Sequence, residues 1–589
     1  MNLRLCLLVT LVCGPSLLAQ TPASKSDDPS AALHRFFAEE WEYELDQSPT
    51  HASTLGDRRA NDRWDDISLG AIEKRFAHAA AALTHLRGIA RARLSPADQL
   101  NYDLFEQDAQ RGIEGARFRG YLLALTPRDG LQFADDLADA LRFETLKDYE
   151  DWIGRLKRFA SYADQTIALL KEGVRARIVQ PKTTMERVPK QIEKQLVSVP
   201  SESPFYRPLK QFSESISEAD RVRLRREAED AIRDVVVPAY RRFQAFFNDE
   251  YLPGCLEEVG AWQFPDGAEH YAYLARFYTT TALTAAEIHA IGQSEVKRIR
   301  GEMEKAKSAT GFQGSLQEFF KFLRTDPKFF FSTPDDLLAA YRAQSRIIDP
   351  RLLRIFRTLP RTPYGIEPIP DNAAPDTTTA YYRPPADDGS RPGTFFVNLY
   401  LPETRPKWEM MALALHEAVP GHHFQIALAR EQGTLPEFRR HLETTAYVEG
   451  WGLYCESLGD ELGLYDDPYA KFGQLTYEMW RAVRLVVDTG IHSMKWTRAQ
   501  ALDFFRENAP KTEQDIVNEV DRYISWPGQA LAYKIGELKL KELRARAERE
   551  LAAKFDVRAF HDFVLLDGAL PLEILERRVN EWIKSQRSK

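Results

Sequence analysis

Apolar residues recur at intervals of three and four over most of the chain between residues 31 and 344. This spacing is typical of amphipathic helices with one buried face. It is clearest in four segments: 33–45, 72–89, 229–252 and 283–306. In the last of these, Thr284 and Glu287 have the spacing of a capping box. The same pattern returns from residue 407 almost to the end, so we predict a mainly α protein.

The pattern changes between residues 359 and 406, where proline, glycine and aspartate cluster. The stretch TFFVNLYLP (394–402) is rich in β-branched and aromatic residues and predicts the edge of a small β-sheet beside the next helix. An extended peptide could add to such an edge, with Asn398 as a side-chain contact, or the strand is an ordinary edge strand. We predict one large helical domain over residues 31–589, either undivided or in two lobes that meet near 345–380.

Residues 1–19 have the layout of a secretory signal peptide: an early arginine, an apolar run and small residues before Ala19. Two alternatives remain, a membrane anchor and lipidation at Cys13, although the run is short for a span and the valine before Cys13 is large. Residues 20–30 are polar and predict a disordered linker. We therefore expect an exported protein, periplasmic or secreted, without stable membrane insertion.

The composition is that of a soluble globular protein, with 44% hydrophobic and 28% charged residues among 589. A net charge of −8 gives no electrostatic reason to expect nucleic acid as a partner. After the leader only Cys255 and Cys455 remain, which is no disulfide framework. They either pair with each other or are separate buried thiols. The sequence does not specify the oligomeric state.

The stretch MALALHEAVPGHHFQIALA (411–429) carries the strongest chemical signal. A catalytic zinc site uses three protein ligands and an open position, with a carboxylate nearby as general base. His416 and Glu417 supply a ligand and a base. On a regular helix, however, His422 lies about 120° away from His416, and His423 about 10.5 Å further along the axis.

Pro420 and Gly421 offer a way around this spacing. Proline has no N–H to donate to the carbonyl of His416, and glycine permits unusual backbone angles. We expect a widened turn here, such as a π-bulge, which absorbs two residues. Such a turn brings His422 to the second ligand position, and His423 is the alternative.

The third ligand is expected from TTAYVEGWGLYCESLG (444–459). Glu449 follows His422 by 27 residues and lies among aromatic residues, so it is the candidate ligand. Glu456 lies two helical turns further along the same face and is placed to orient a ligand histidine. Without the preceding His-Glu pair, both glutamates would be interpreted as surface or ion-paired groups.

HEAVPGHHFQ followed by YVEGWGLYCE resembles the bacterial DUF885 family, which is expected to contain metallopeptidases. It is more distantly similar to the helical zinc peptidases related to thimet oligopeptidase, neurolysin, angiotensin-converting enzyme and the M32 carboxypeptidases. This resemblance, which extends from Tyr381 to Gly536, implies zinc held by His416, His422 and Glu449. It also implies a deep channel between helical halves and short peptides as substrates. The two-residue expansion before His422 departs from that group.

Two later segments resemble the same peptidases. In RYISWPGQALAYKIG (522–536), Tyr533 is placed as an oxyanion donor, or is a core tyrosine, and Gln529 and Tyr523 are weaker candidates for substrate contacts. In MWRAVRLVVDTGIHSMKWT (479–497), Arg481 and Arg484 lie one turn apart. They either bind a substrate carboxylate or act as scaffolding paired with nearby acids, namely Asp488 and Glu456. His492 is interpreted as structural.

The expected function is that of an exported zinc peptidase that hydrolyses short peptides with Glu417 as general base. One alternative is a non-catalytic peptide-binding protein on the same scaffold. The other is a metal-dependent hydrolase of non-peptide substrates.

Overall fold

The computed structural model describes residues 28–370, 374–376 and 378–588. The predicted leader and its Cys13 lie outside these residues. Helices dominate the described chain and the sheet is small, so the predicted mainly α fold is confirmed. None of the described helices has both the length and the apolar composition needed to cross a bilayer.

Residues 29–348 contain fifteen of the described α-helices, joined by short 3-10 and π-helical turns. They are α1 (Pro29–Gln47), α2 (Pro49–Leu55), α3 (Leu69–Arg87), α4 (Pro96–Ala116), α5 (Leu146–Ala176), α6 (Lys182–Met185), α7 (Val188–Glu193), α8 (Arg207–Lys210), α9 (Glu218–Ala231), α10 (Val237–Phe246), α11 (Leu252–Gly254), α12 (Gly267–Thr279), α13 (Ala285–Ala309), α14 (Leu316–Thr325) and α15 (Pro334–Ile348).

The second half adds ten described α-helices. They are α16 (Met410–Glu417), α17 (His422–Arg430), α18 (Glu437–Arg440), α19 (Thr445–Ser457), α20 (Pro468–His492), α21 (Arg498–Asn508), α22 (Glu513–Ser525), α23 (Ala532–Leu551), α24 (Val557–Leu565) and α25 (Leu572–Arg587).

The ends of two predicted segments can be compared directly with the structure. The capping box of α13 forms: Glu287 N donates to Thr284 Oγ1 at 3.3 Å, and Thr284 N donates to a Glu287 carboxylate oxygen at 2.8 Å. The predicted linker 20–30 is too long, because α1 already begins at Pro29. Asp28 caps that helix by accepting a hydrogen bond from Ser30 N at 3.0 Å.

The sheet has three strands, β1 (Tyr364–Pro368), β2 (Ala380–Arg383) and β3 (Gly393–Val397), in the order β1-β3-β2. β3 pairs in parallel with β1 and antiparallel with β2. The prediction that this segment forms a free edge for peptide addition is therefore wrong, because backbone partners lie on both sides of β3.

Asn398, the predicted substrate contact after β3, instead makes hydrogen bonds within the protein. Its Nδ2 donates to the carbonyl oxygens of Ala374 at 2.7 Å and Thr378 at 3.1 Å. Its Oδ1 accepts from Tyr400 N at 3.0 Å. The buried side-chain amide therefore holds the loop between β1 and β2.

Two large hydrophobic clusters form most of the core. One contains mainly residues of the second half, including those of α16, α19 and α20, and the other mainly residues between 125 and 291. α13 contributes Ile288 to the latter and Val296 to the former, so this long helix joins the two. Cys255 and Cys455 are separate buried thiols, which resolves the alternatives left open by the sequence.

Acid should destabilise the fold through its buried neutral histidines. His561 stacks on Phe356, with Nδ1 2.8 Å from the Ile355 carbonyl oxygen and Nε2 2.9 Å from the Tyr454 hydroxyl. Burial lowers the pKa of His561 to about 3. As the pH falls below about 6.5, the unfolded chain therefore takes up a proton that the folded chain does not. The free energy of unfolding should fall by up to about 1.4 kcal/mol per pH unit for this group.

The urea midpoint measured at pH 7.5 and at pH 5.0 tests this expectation. His561→Gln should show a smaller pH dependence than the unmodified protein, even if its midpoint at pH 7.5 is lower. An equal pH dependence in both proteins would contradict a neutral buried His561.

Candidate metal centre

The two histidine positions lie on separate helices. α16 ends at Glu417 and α17 begins at His422, and the backbone between them leaves the helical region at Ala418 (φ −99°, ψ −107°) and at Gly421 (φ −74°, ψ −130°). The Val419–Pro420 peptide is cis. The expected widened helical turn is therefore wrong, since the first helix ends and a second begins.

Glycine is required at position 421 because the backbone passes very close to α16. A Cβ atom there would collide with the carbonyl oxygen of His416. The missing N–H of Pro420 and the missing side chain of Gly421 thus explain how the chain can turn within four residues.

This turn brings three candidate ligands together. Nε2 of His416 and Nε2 of His422 lie 3.4 Å and 3.5 Å from the same oxygen, Glu449 Oε2. The two imidazole rings are nearly perpendicular, with centroids 4.7 Å apart. The three ligand atoms all lie within 4.8 Å of one another. The third residue comes from α19, which packs beside both α16 and α17.

These residues fit a zinc ion in three respects. Two imidazoles and a carboxylate are a donor set used by catalytic zinc sites. Ligand atoms about 2.1 Å from a tetrahedral ion are about 3.4 Å apart, close to the observed nitrogen–oxygen distances. Glu449 Oε2 is buried without a hydrogen-bond partner among the described residues, an arrangement that is costly unless a cation is bound.

The charges at the site are strongly coupled. Burial by itself would lower the pKa of His416, but the nearby Glu449 carboxylate and the hydrogen-bonded Glu456 carboxylate outweigh it and raise the pKa to about 9. Burial opposes the charge on Glu449, yet His416 and His422 hold the pKa of its carboxyl well below its usual range. A metal ion requires neutral imidazole ligands, so its binding would displace a proton from His416.

Behind the three ligands, Glu456 contacts His416. Its Oε1 lies 2.8 Å from His416 Nδ1, which leaves Nε2 facing Glu449. Arg481 in turn lies 3.4 Å from Glu456 Oε1 and is buried over the rings of Tyr477 and Trp480. Glu456 therefore lies where the sequence predicted, beside a ligand histidine. Of the two alternatives for Arg481, the structure agrees with scaffolding and not with substrate binding.

His423 points away from this group. Its Nδ1 lies 3.0 Å from the Tyr382 hydroxyl and its Nε2 lies 3.0 Å from the carbonyl oxygen of Thr362. Burial lowers its pKa to about 4. Successive residues of α17 are rotated by about 100°, so only one of the two histidines can face Glu449. The alternative ligand role of His423 and its predicted role as an outer partner are both wrong.

Glu417 is the last residue of α16 and is buried directly beside His416 in the chain. Its negative charge is close enough to act on the His416 imidazole. The carboxylate is therefore close to His416 and does not belong to the group of three candidate ligands.

A cavity of about 1180 Å³ reaches the site, and Glu449 forms part of its wall. Tyr533 and Gln529 line the same cavity. The Tyr533 hydroxyl lies 3.4 Å from Arg522 Nη2 and 3.5 Å from Gln529 Nε2. Two of the predicted substrate-facing side chains are therefore in a shared open volume with a candidate ligand.

Tyr523 and Arg484 are placed elsewhere. The Tyr523 hydroxyl accepts hydrogen bonds from Trp480 Nε1 and Arg484 Nε, each at 3.0 Å, and donates to Glu519 at 2.8 Å. Neither residue lines the cavity, so their predicted substrate contacts are not formed there. Arg484 is scaffolding, but it pairs with Glu519 rather than with Asp488.

His492 and Asp488, both on α20, make hydrogen bonds to residues outside the candidate metal centre. His492 Nδ1 accepts a hydrogen bond from Ala261 N at 3.0 Å, and Nε2 lies 2.9 Å from the Tyr523 carbonyl oxygen, in agreement with the structural interpretation. Asp488 accepts from the Tyr271 hydroxyl at 2.6 Å.

Three arginines of the cavity wall were not identified from the sequence, namely Arg128, Arg187 and Arg522. Arg522 opens the segment that contains Tyr533, so proximity in sequence was an available signal. Arg128 lies about 390 residues from its contacts with Asn518 and Glu519, and no local pattern indicates that pairing.

Gly452 should be needed for metal binding because the absence of a side chain there leaves room for the His416 ring. A Cβ at this position would lie 2.8 Å from the ring's Cε1 and 2.9 Å from its Nε2. We therefore expect Gly452→Ala to displace the imidazole and weaken zinc affinity by about tenfold or more. Titration with a zinc-selective chelator measures the affinity. Gly301→Ala in α13, where the new methyl group meets nothing within 4 Å, is the matched control. Equal zinc affinity in all three proteins would contradict the expectation.

Comparison with known proteins agrees with this fold. A family model described as "Bacterial protein of unknown function (DUF885)" matches residues 49–579. No curated protein matches. A solved structure described as a "putative lipoprotein" from Colwellia psychrerythraea superposes with a TM-score of 0.90 at 29% identity, covering 95% of this chain and 100% of its own.

A second solved structure, a "putative lipoprotein of unknown function" from Shewanella oneidensis, has a TM-score of 0.69 at 18% identity and covers 93% of this chain and 98% of its own. At that identity it supports the fold alone. The family match spans most of the chain and includes all the candidate ligands. The chain therefore belongs to the DUF885 family of bacterial proteins.

Proposed function

We propose that this protein is a zinc-dependent peptidase that hydrolyses short peptides. The observation that carries the proposal is the convergence of His416, His422 and the orphaned Glu449 Oε2, with Glu449 in the wall of a large cavity. Glu417 is adjacent to His416 in the chain. When bound there, zinc supplies Lewis acidity toward a carbonyl group and a water molecule.

The chain's own residues have distinct roles in the proposal. Glu417 takes a proton from the attacking water and passes it to the leaving amine, as a general base and then a general acid. Tyr533 donates its hydroxyl hydrogen to the carbonyl oxygen as negative charge develops. Glu456 holds the His416 ring in place through Nδ1.

A peptide substrate is favoured by the cavity and by the similarity of the motifs to helical zinc peptidases. A volume of about 1180 Å³ is slightly above the range of ordinary small-molecule pockets and suits a short peptide. The lining combines charged, polar and aromatic side chains, which matches the mixed chemistry of a peptide chain.

The test is a panel of short peptides with free and blocked ends, incubated with protein of measured zinc content. We expect cleavage that is abolished by a chelator and restored by zinc. Zinc at one equivalent without cleavage of any peptide would favour a hydrolase of non-peptide substrates. Less than about half an equivalent after gentle purification would favour the non-catalytic binding protein.

Export is also part of the proposal. It is supported by the signal-peptide pattern of residues 1–19 and by the description of two structural neighbours as "putative lipoproteins". The mass of the N-terminal peptide of the mature protein distinguishes a released protein from a lipid-anchored one. A terminus at Gln20 indicates a released protein, and an acylated Cys13 indicates a lipid anchor.

A further inference from the structure

Positive charge exceeds negative charge along the cavity wall formed by α22. The carboxylate of Glu519 is contacted by three guanidinium groups: Arg484 Nη2 at 3.0 Å, Arg522 Nη1 at 3.3 Å and Arg128 Nη1 at 3.5 Å. One carboxylate can balance only one of these three charges.

Asp521, on the same helix, does not restore the balance. It is already paired with Arg498 Nε at 2.6 Å and Arg187 Nη2 at 2.7 Å. Five guanidinium groups thus face two carboxylates. Asp129 and Glu186 also line the cavity, but both are exposed and take no part in these ion pairs.

The excess charge lies where solvent cannot fully screen it. The side chains of Glu519, Arg484 and Arg522 are 4%, 5% and 13% exposed, and that of Arg128, which reaches the cavity, is 33% exposed. Arg484 Nη1 is buried with no hydrogen-bond partner among the described residues. Uncompensated buried cations are costly, and an incoming anion would relieve that cost.

Arg128, Arg187 and Arg522 line the cavity, and the first and last of these contact Glu519, whose carboxylate faces three guanidinium groups. Arg128 is held only by contacts of 3.5 Å, so it has donors to spare. Arg522 also lies 3.4 Å from the Tyr533 hydroxyl. An anion bound here would therefore be close to the group that we assign to the carbonyl oxygen.

Accepting the proposed function, we infer that Arg128 and Arg522 bind a carboxylate of the substrate. The free C-terminal carboxylate of a short peptide is the favoured source, and cleavage then takes place near that end. An acidic side chain carries the same chemistry and is the other source. Trp526, one helical turn after Arg522 and 49% exposed, lines the same cavity and offers an apolar surface for the neighbouring side chain.

The experiment measures binding rather than turnover, so its outcome does not depend on catalysis. Zinc-loaded Glu417→Gln protein is titrated by calorimetry with acetyl-Ala-Phe as the free acid, the same peptide as the amide, and acetyl-Ala-Asp-amide. We expect the free acid to bind about tenfold or more tightly than the Phe amide, because a hydrogen bond to a charged group is lost in the amide. Tight binding of the Asp amide instead would identify an acidic side chain as the carboxylate that is recognised.

Arg128→Gln and Arg522→Gln, each added to Glu417→Gln, should reduce the acid-to-amide preference to about threefold or less. Arg187→Gln is the matched control: it removes a guanidinium from the same cavity wall, but one that contacts Asp521 at 2.7 Å and lies outside the group around Glu519. That control should keep the preference. Circular dichroism and zinc content establish that each variant is folded.

Equal binding of the acid and both amides by the Glu417→Gln parent would overturn the inference. A preference that survives both arginine replacements would also overturn it. So would the absence of binding by any of the three peptides at 10 mM or below, a concentration on the order of ten-thousandfold above a micromolar Kd. The proposed function fails on different grounds, namely absence of zinc or of peptide cleavage by the unmodified protein.

Discussion

Glu417→Gln should retain its zinc and lose about 10²- to 10⁴-fold in kcat, the range typical of removing a general base. The glutamine side chain has nearly the same size, but its amide cannot accept the proton of the attacking water. Since Glu417 is beside the candidate ligands and is not one of them, the metal should remain.

Steady-state kinetics on a cleaved peptide, together with zinc content by mass spectrometry, measure both parts of this expectation. Glu403→Gln is a matched control, because it makes the same change at an exposed position. It should leave both quantities unchanged. Full activity in Glu417→Gln would remove Glu417 from the mechanism, and loss of zinc in that variant would make Glu417 a ligand instead.

His416→Ala, His422→Ala and Glu449→Ala should each lose zinc. Removing an outer hydrogen-bonding partner of a ligand lowers metal affinity by about 10- to 100-fold, and the loss in these three variants should be larger. Glu456→Ala represents removal of such a partner, because it keeps all three ligands but removes the carboxylate that contacts His416 Nδ1 and Arg481. The distinction is physical: removing a ligand opens the ion's coordination, whereas removing its support only loosens an imidazole.

His423→Ala is the control that the chain itself provides. It deletes an imidazole one residue from His422, but that ring contacts Tyr382 and Thr362. We expect near-normal zinc affinity and a loss of stability. If His423→Ala lost zinc as completely as His422→Ala, the arrangement of the two helices would be wrong.

The sequence predicted the features that depend on local spacing. Helix periodicity, the capping box at Thr284 and Glu287, and the interval from His416 to His422 to Glu449 can all be read along the chain. The missing N–H of Pro420 indicated that a regular helix could not continue there. It did not indicate that the helix would end and a second one begin. A local pattern does not say whether a proline widens a helical turn or divides the helix, because packing of the flanking segments decides this.

Features that depend on distant pairing were missed or misplaced. β1 and β2 are only five and four residues long and lie in a proline- and glycine-rich stretch, so the central position of β3 was not visible. Asn398 carried no sign that its amide would hold a neighbouring loop. Arg128 enters the cavity from the first half of the chain, and only the folded structure places it beside Glu519.

Anomalous diffraction from crystals of the purified protein, recorded on both sides of the zinc absorption edge, tests the central claim most directly. The account predicts one strong peak shared by Nε2 of His416, Nε2 of His422 and Oε2 of Glu449, about 2 Å from each. Crystals grown with zinc available that show no peak there, with Glu449 instead hydrogen-bonded directly to an imidazole, would contradict it.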